Sequence, residues 1–419
     1  MITAGLGAVL LCVLSGLGPA RLLDRGARGG LLVAESFLAG SGVLAAILVL
    51  ESALGLPWSL TALILPVAVL GIWGLLLLPS PSFKVTRIGV FGALLQGGAV
   101  LWHAAYATRA DLYDWGQWLI SRRDFFFIWG YKAKLFFTVQ GIPWSFLGAL
   151  PNDFSHPDYP LLVPLQFALP SILAGAWQPR GIGIVDTAFA TAALIIAHRC
   201  LREELSPLVA AVGALSLAGC VLLPWPGFAE GPLVAYSASA VLLLRSRRLE
   251  ALPLAGALLA LAAMSKNEGI AFVAATAVAL LIADRQRLRV LITPAIVIVF
   301  WMLLRWNLHT DLFTPGLLSR VAHNLQLFPK AFANIGAYQP FAWAGALGAL
   351  ALAPGENVRR ERFLLTIVAL QLALYLGAYA VTPLEVVGHV NGSWDRISSH
   401  VTMLVAFAGV TSAGKALQR

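Results

Sequence analysis

The chain has 419 residues, of which 59% are hydrophobic and only 12% are charged, and its mean hydropathy is +0.81. A water-soluble domain needs more polar surface than this, so the composition excludes soluble globular classes and indicates a polytopic helical membrane protein. The formal net charge of +9 does not indicate a nucleic-acid partner, because most basic residues lie in short segments between apolar runs. The three cysteines are scattered among apolar runs, which favours neither a disulfide framework nor a metal cluster.

Apolar runs recur along the whole chain, and many are long enough to cross a membrane. They cover about residues 2–20, 31–53, 57–79, 88–106, 161–176, 182–198, 207–224, 232–244, 251–264, 270–283, 290–305, 337–353, 363–382 and 400–414. The first run lacks a basic N-terminal flank, so we expect a retained helix and not a cleaved signal peptide. Two longer polar stretches, residues 107–160 and 306–336, interrupt the series.

The basic residues between the runs predict the orientation of the chain in the membrane. Eighteen of the 29 Lys and Arg residues fall in seven short segments, which we place in the cytoplasm. These residues are Arg21, Arg25, Arg28, Lys84, Arg87, Arg199, Arg202, Arg245, Arg247, Arg248, Arg285, Arg287, Arg289, Arg359, Arg360, Arg362, Lys415 and Arg419. Residues 161–198 contain two apolar runs but must cross the membrane an odd number of times, because the segments on either side are placed on opposite faces. The first run, 161–176, is short and contains Pro170. We therefore expect it to dip without crossing, which leaves about 13 transmembrane helices.

Five polar stretches then fall on the opposite side of the membrane, at residues 107–160, 225–231, 265–269, 306–336 and 383–399. They are rich in Trp, His, Asp and Asn, whereas the basic segments contain mostly arginine. We therefore expect the chemistry of this protein on the outer face. The predicted organisation has accessory helices over 1–87, a catalytic membrane module over 88–305 with the outer loop 107–160, and a C-terminal outer segment with helices over 306–419.

The stretch 122–162 combines aromatic and charged residues more densely than any other part of the chain. One helical face would carry Phe125, Trp129, Lys132 and Phe136. Aromatic rings and lysines suit a helix in the headgroup region, with the rings buried and the lysines reaching water. Asp124 does not suit such a helix unless it pairs with Arg122 or Arg123, accepts a proton or binds a cation.

Five short motifs resemble, in the same order, those of GT-C glycosyltransferases. They are DFFFIWGYKAKLF from Asp124, HPDYP from His156, FAEGP from Phe228, KNEG from Lys266, and His389 followed by Asp395-Arg396. The closest branch is the one of integral-membrane enzymes that use lipid-phosphate sugars, such as protein O-mannosyltransferases and the aminoarabinose transferase. Two departures stand out. Arg123 occupies a position that is usually aromatic in this branch, and Glu230 replaces an aspartate.

The resemblance implies an all-α, GT-C-like fold with juxtamembrane helices in the first large outer loop. It also implies an inverting transfer of a sugar from a polyprenyl-phosphate carrier to an acceptor hydroxyl, with Asp124 as the general base. The implied substrate-binding residues are Trp129, Tyr131, Lys132, Lys134, His156, Asp158, Tyr159, Lys266, Glu268, His389 and Arg396. Among them Lys134, Lys266 and Arg396 would hold the phosphate, and Trp129 and Tyr131 would stack on the sugar. A divalent cation, Mg²⁺ or Mn²⁺, could bridge Asp124 and Glu230.

Each motif also has a purely structural interpretation. HPDYP can be a rigid turn, Trp129 and Tyr131 can belong to an interfacial aromatic belt, and Glu230 can be an exposed loop acid. Lys266 can pair with Glu268 at a helix end, and Arg396 can pair with its neighbour Asp395.

For the whole chain, the first alternative is a transporter or lipid flippase. Such a protein would place acids inside its spans, as at Glu35 and Asp186. The second alternative is a non-catalytic relative. We expect a multi-pass protein of the plasma or inner membrane, with its site on the periplasmic or extracellular face. Its partners would be the bilayer, a polyprenyl-phosphate sugar and an acceptor that the sequence does not identify.

Overall fold

The computed structural model describes residues 2–78, 87–114, 122–306, 308, 317–333 and 336–418, and within these ranges the chain is helical with no strand. The helices are α1 (Ile2–Leu23), α2 (Gly29–Ala53), α3 (Leu60–Leu76), α4 (Arg87–Ala107), α5 (Gly130–Val139), α6 (Trp144–Leu147), α7 (Leu162–Ala174), α8 (Pro179–Leu201), α9 (Pro207–Val221), α10 (Glu230–Arg245), α11 (Leu252–Ser265), α12 (Asn267–Ala283), α13 (Ile292–Arg305), α14 (Leu317–Phe332), α15 (Pro340–Ala351), α16 (Pro354–Val381) and α17 (Val386–Leu417). Lys84 and parts of the two long polar stretches, residues 115–121, 307, 309–316 and 334–335, lie outside the described residues.

Six helical segments in the described ranges are long and apolar enough to cross a membrane. They are Ile2–Leu23, Gly29–Ala53, Pro179–Leu201, Arg285–Arg305, Pro354–Val381 and Val386–Leu417. Shorter apolar helices of 12 to 17 residues pack between them. The protein is therefore a helical, membrane-embedded bundle, and every predicted apolar run coincides with a helix.

Helix α10 connects two polar layers at opposite ends of the bundle. Its 16 residues span about 24 Å and are almost all buried. Its first residue, Glu230, pairs with Lys266 and Arg396, and its last residue, Arg245, pairs with Glu204 and Glu361. We call these the site end and the basic end. At the basic end, Arg245 and Lys415 both pair with Glu204. They come from different segments that the Lys/Arg pattern placed on the same side of the membrane.

The two N-terminal helices form a close pair that packs on α8. A Cβ atom at Gly40 of α2 would lie 1.7 Å from the carbonyl oxygen of Cys12, and one at Gly16 of α1 would lie 1.9 Å from that of Ser36. Only glycine permits this approach, which is a common way for membrane helices to associate without a hydrophobic driving force.

Helix α7 starts and finishes at the site end. It begins just after Pro160, and Gln166 in its second turn donates to the hydroxyl of Tyr236, inside the bundle. Further along, Pro170 packs against Gly181 in the first turn of α8. Arg180, in the same turn, donates to the carbonyl of Thr108 at the end of α4. Both ends of α7 therefore lie toward the site end, and the expectation that the run 161–176 dips without crossing stays a prediction.

The last helix begins earlier than the apolar pattern indicates. The predicted run starts at residue 400, whereas α17 starts at Val386 and includes most of the polar stretch 383–399. Glu385 caps it, accepting hydrogen bonds from the backbone N–H groups of Val387 at 3.1 Å and Gly388 at 2.5 Å. The polar side chains on the inner face of α17 have hydrogen-bond partners in the bundle. The helix therefore continues through this polar stretch, and Arg396 is a helical residue.

Candidate functional site

Arg396 joins two of the predicted site acids. Its Nη1 atom lies 2.5 Å from Asp124 Oδ2 and 3.4 Å from Glu230 Oε1. These three residues come from the outer loop, the start of α10 and the middle of α17. The alternative pairing of Asp124 with Arg122 is not observed, because Arg122 donates to the carbonyl of Pro226 and lies against the ring of Phe228.

Lys266 extends this arrangement from the other side of Glu230. Its Nζ atom lies 3.2 Å from Glu230 Oε1 and 2.9 Å from Glu268 Oε1. Charges therefore alternate along the series Asp124, Arg396, Glu230, Lys266 and Glu268, which we call the site network. Three carboxylates and two cations give it a formal charge of −1.

Local structure positions each member of the site network. Asp124 directly precedes a π-helical turn, Phe125–Trp129, a rare feature that often marks functional sites. Glu230 is the first residue of α10, where the helix dipole favours a carboxylate. Lys266 has extended backbone angles (φ −164°, ψ 157°) and forms the break between α11 and α12, next to Glu268 in the first turn of α12.

A second polar group lies next to the site network, at the HPDYP motif. Asp158 is buried and accepts a hydrogen bond from the Asn267 side chain at 3.1 Å, and its carboxylate lies 3.9 Å from Arg305 Nη2. Arg305 also donates to Asn267 Oδ1 at 3.3 Å. The motif therefore joins the turn that carries Lys266 and Glu268, instead of forming an isolated rigid turn.

The aromatic residues of the outer loop form an internal stack. Tyr159 lies between Trp129, at 5.4 Å between ring centroids, and His156, at 4.9 Å, with both pairs nearly parallel. Trp129 is fully buried, so in this conformation it cannot stack on a sugar. Tyr131 is half-buried against Phe154, with 5.3 Å between the ring centroids. His156 is exposed and has a left-handed backbone (φ 51°).

The two lysines of the KAK sequence occupy opposite environments. Lys132 is fully buried and donates from Nζ to the backbone carbonyl of His156 at 2.8 Å. Burial lowers its pKa to about 7, against an opposing contribution from Asp158. Lys134 is exposed on the other side of α5, away from the contacts of the site network. Lys132 therefore fixes the loop, and neither lysine touches the carboxylates of the site network.

Several residues that the motifs did not identify as site residues adjoin the network. The Arg396 guanidinium lies 5.4 Å from the ring centroid of Phe228, and Gln371 donates to the Glu268 backbone carbonyl at 3.2 Å. His400, one turn beyond Arg396, pairs through Nδ1 with the hydroxyl of Tyr375 at 2.6 Å. The spacing of four residues on one helix was the available signal for His400.

His389 lies apart from the site network. It lies two helical turns before Arg396 in α17, and its Nδ1 atom is 3.0 Å from the hydroxyl oxygen of Thr382. Of the last motif, Arg396 therefore contacts the network acids and His389 does not.

Four buried polar atoms around the network have no hydrogen-bond partner within the described protein: Glu230 Oε2, Glu268 Oε2, Gln371 Oε1 and His400 Nε2. Buried polar atoms are normally paired, so this concentration indicates a place for water or for a polar ligand. The site network can therefore offer carboxylate oxygens, a guanidinium and an ammonium group to a polar molecule that reaches it from the end of the bundle.

The residues present do not form a divalent-cation site by themselves. Arg396 contacts both carboxylates that a cation would bridge. Within the described ranges, no group of three or more His, Cys, Asp and Glu side chains is arranged to hold a metal ion. Mg²⁺ and Mn²⁺ prefer more oxygen ligands than this pair supplies. The dependence on Mg²⁺ or Mn²⁺ stays a prediction, and the chemistry below uses the guanidinium.

Comparison of the chain with family models, with curated proteins and with solved structures finds no match. The likeness to GT-C glycosyltransferases therefore rests on the five sequence motifs.

Proposed function

We propose that this protein is a GT-C-type glycosyltransferase that moves a sugar from a polyprenyl-phosphate carrier to an acceptor hydroxyl. The observation that carries the proposal is the site network, in which residues from four of the five motifs meet at one end of a membrane-embedded bundle. This position at the end of the bundle suits a reaction between a lipid-borne donor and an acceptor hydroxyl that approaches from the aqueous side.

Asp124 is the carboxylate best suited to act as the base. Its side chain is 26% exposed, whereas that of Glu230 is 1% exposed. An acceptor hydroxyl can therefore approach Asp124 and give up its proton to this carboxylate as it attacks the anomeric carbon. Glu230 instead holds Arg396 and Lys266 in place. A single displacement of this kind inverts the configuration at the anomeric carbon.

The leaving phosphate needs cations, and Arg396 and Lys266 are the ones the network supplies. Both contacts of Arg396 with the network acids use one nitrogen, Nη1, and a guanidinium has five N–H donors. Lys266 has three donors and two carboxylate partners. Donors fixed before the reaction can offset the negative charge that develops on the phosphate as the sugar bond breaks.

The positions of the basic residues favour the periplasmic or extracellular face for this site, in a plasma or inner membrane. We further propose that the bundle has about 13 crossings, built from the six long helices and the shorter apolar ones between them.

The test is turnover by the purified protein in nanodiscs, with a panel of polyprenyl-phosphate sugars and mass spectrometry of the products. The proposal expects a glycosylated acceptor, and Asp124→Asn should abolish most of it. Lys134→Met is the matched control, because Lys134 is an exposed residue of the same loop that does not touch the network. Movement of the lipid or the sugar across the membrane with no new glycosidic bond would instead support the transporter or flippase.

A further inference from the structure

A separate cluster of charges lies at the basic end, where the N-terminal helices meet the rest of the bundle. Asp24 follows α1, Glu35 lies in α2, and Arg248 lies between α10 and α11. Asp24 and Glu35 are fully buried and Arg248 is 9% exposed. None of these residues belongs to a motif of the proposed glycosyltransferase.

The two acids have unequal partners. Asp24 forms an ion pair with Nη2 of Arg248, and its Oδ1 accepts a hydrogen bond from the Gly26 backbone at 2.9 Å. Glu35 lies 3.6 Å from Nη1 of the same guanidinium, beyond hydrogen-bonding distance, and neither of its oxygens meets a donor. Asp24 and Glu35 thus face the same guanidinium, through Nη2 and Nη1, from the end of α1 and from α2.

If both buried carboxyl groups were ionised, the cluster of Asp24, Glu35 and Arg248 would lack one positive charge. One guanidinium serves two buried carboxyls, and a buried uncompensated carboxylate is strongly unfavourable. Two carboxyl groups can form a hydrogen bond only when one of them carries a proton. Within the described residues, no third carboxylate, His or Cys completes a metal site here.

We propose that Glu35 is a proton-binding site, and that its protonated carboxyl donates a hydrogen bond to the ionised carboxylate of Asp24. The proton resides on Glu35 because Asp24 has the guanidinium contact and the backbone donor. This hydrogen bond ties α2 to the end of α1, while Arg248 ties both to the segment between α10 and α11. It gives the accessory helices a defined joint with the rest of the bundle.

The other charged groups around the joint are few. Glu250 lies 3.7 Å from Nε of Arg248, and its side chain is 46% exposed, so water screens it. The buried thiol of Cys200 in α8 also faces Arg248.

Infrared spectroscopy of the whole protein in nanodiscs tests the assignment directly. The wild-type protein at pH 7 should show the carbonyl stretch of a protonated carboxylic acid. Glu35→Gln should reduce this band while the thermal midpoint stays near that of the wild type, because the amide still donates to Asp24. Asp24→Asn should also reduce it, because the freed guanidinium then allows Glu35 to ionise.

Glu250→Gln is the matched control and should leave the band unchanged. Asp186, another buried carboxyl, is present in every sample, so the readout is the difference between wild type and variant. An unchanged band in Glu35→Gln would overturn the proposal. If Glu35→Gln does not fold, an unchanged band in Asp24→Asn would overturn it equally.

Discussion

Arg396 and Asp124 are separated by 272 positions in the sequence, yet their side chains lie 2.5 Å apart. The contact joins the last long helix to the outer loop at the π-helical turn. The same guanidinium reaches Glu230, so the position of one arginine determines the spacing of the two acids on either side of it.

This relationship predicts a measurable coupling energy between Arg396 and Asp124. Arg396→Met leaves Glu230 buried with Lys266 as its remaining cation, and we expect a loss of about 2–4 kcal/mol, below the full value for a buried pair because Arg396 is 16% exposed. Asp124→Asn alone should cost about 1 kcal/mol or less. Thermal unfolding of both single variants and the double variant gives the coupling energy. Fully additive effects would show that the contact does not form in the membrane.

Lys266 should contribute to donor binding more than any lysine of the outer loop. Lys266→Met removes a cation that faces two carboxylates, and so removes a proposed phosphate contact. We expect donor affinity to fall by about tenfold or more, which corresponds to roughly 1.4 kcal/mol for a charge-assisted hydrogen bond. Lys134→Met is the control and should bind the donor normally. Equal affinities in the two variants, measured with a labelled polyprenyl-phosphate sugar, would exclude Lys266 from the phosphate site.

Much of the fold could be predicted from the sequence because a helix that crosses the hydrocarbon core of a membrane needs a long, continuous apolar run. The apolar runs located the helices, including the short helix α7 that contains Pro170. Contacts between distant segments were predictable only where a motif marked both partners, as for Asp124 and Glu230, which the motifs placed together and which Arg396 joins. Arg305 was missed because a single polar residue at a helix end carries no local pattern, and His400 was missed although it lies four residues after Arg396 on one helix. The burial of Trp129 was missed because an aromatic residue suits an interface and a packed loop equally well.

Lys132 should make stability depend on pH in the alkaline range. Its pKa is about 7 in the folded protein and about 10.4 when unfolded, so the unfolded chain binds more protons between these values. Stability should therefore rise with pH from about 7 to 10, as the penalty for burying the charged lysine disappears. Lys132→Met keeps the buried volume but cannot titrate, and its thermal midpoint should lack this rise. Parallel midpoint curves for wild type and variant would contradict the lowered pKa.

If α7 dips without crossing, the accessibility of two engineered cysteines follows. Ala174 is exposed at the end of α7, and Arg247 is exposed at the basic end, whereas the native cysteines are buried. Ala174→Cys should react with an impermeant maleimide in intact cells, and Arg247→Cys only after permeabilisation. Gly181 is unsuitable, because a Cβ atom there would lie 2.7 Å from Pro170. Labelling of both cysteines from the same side would show that the run 161–176 crosses the membrane.

The most direct measurement is sugar transfer by Asp124→Asn beside the wild-type protein, in nanodiscs with the polyprenyl-phosphate sugar that the wild type uses. Asparagine keeps the shape and the hydrogen-bonding capacity of the side chain but cannot take a proton at neutral pH. We predict that turnover falls by about 10²–10⁴-fold, as for loss of a positioned general base. Donor binding should remain within about threefold of the wild type, because the pre-formed cations Arg396 and Lys266 are retained. Transfer at the wild-type rate by a folded Asp124→Asn protein would contradict the assignment of Asp124 as the base.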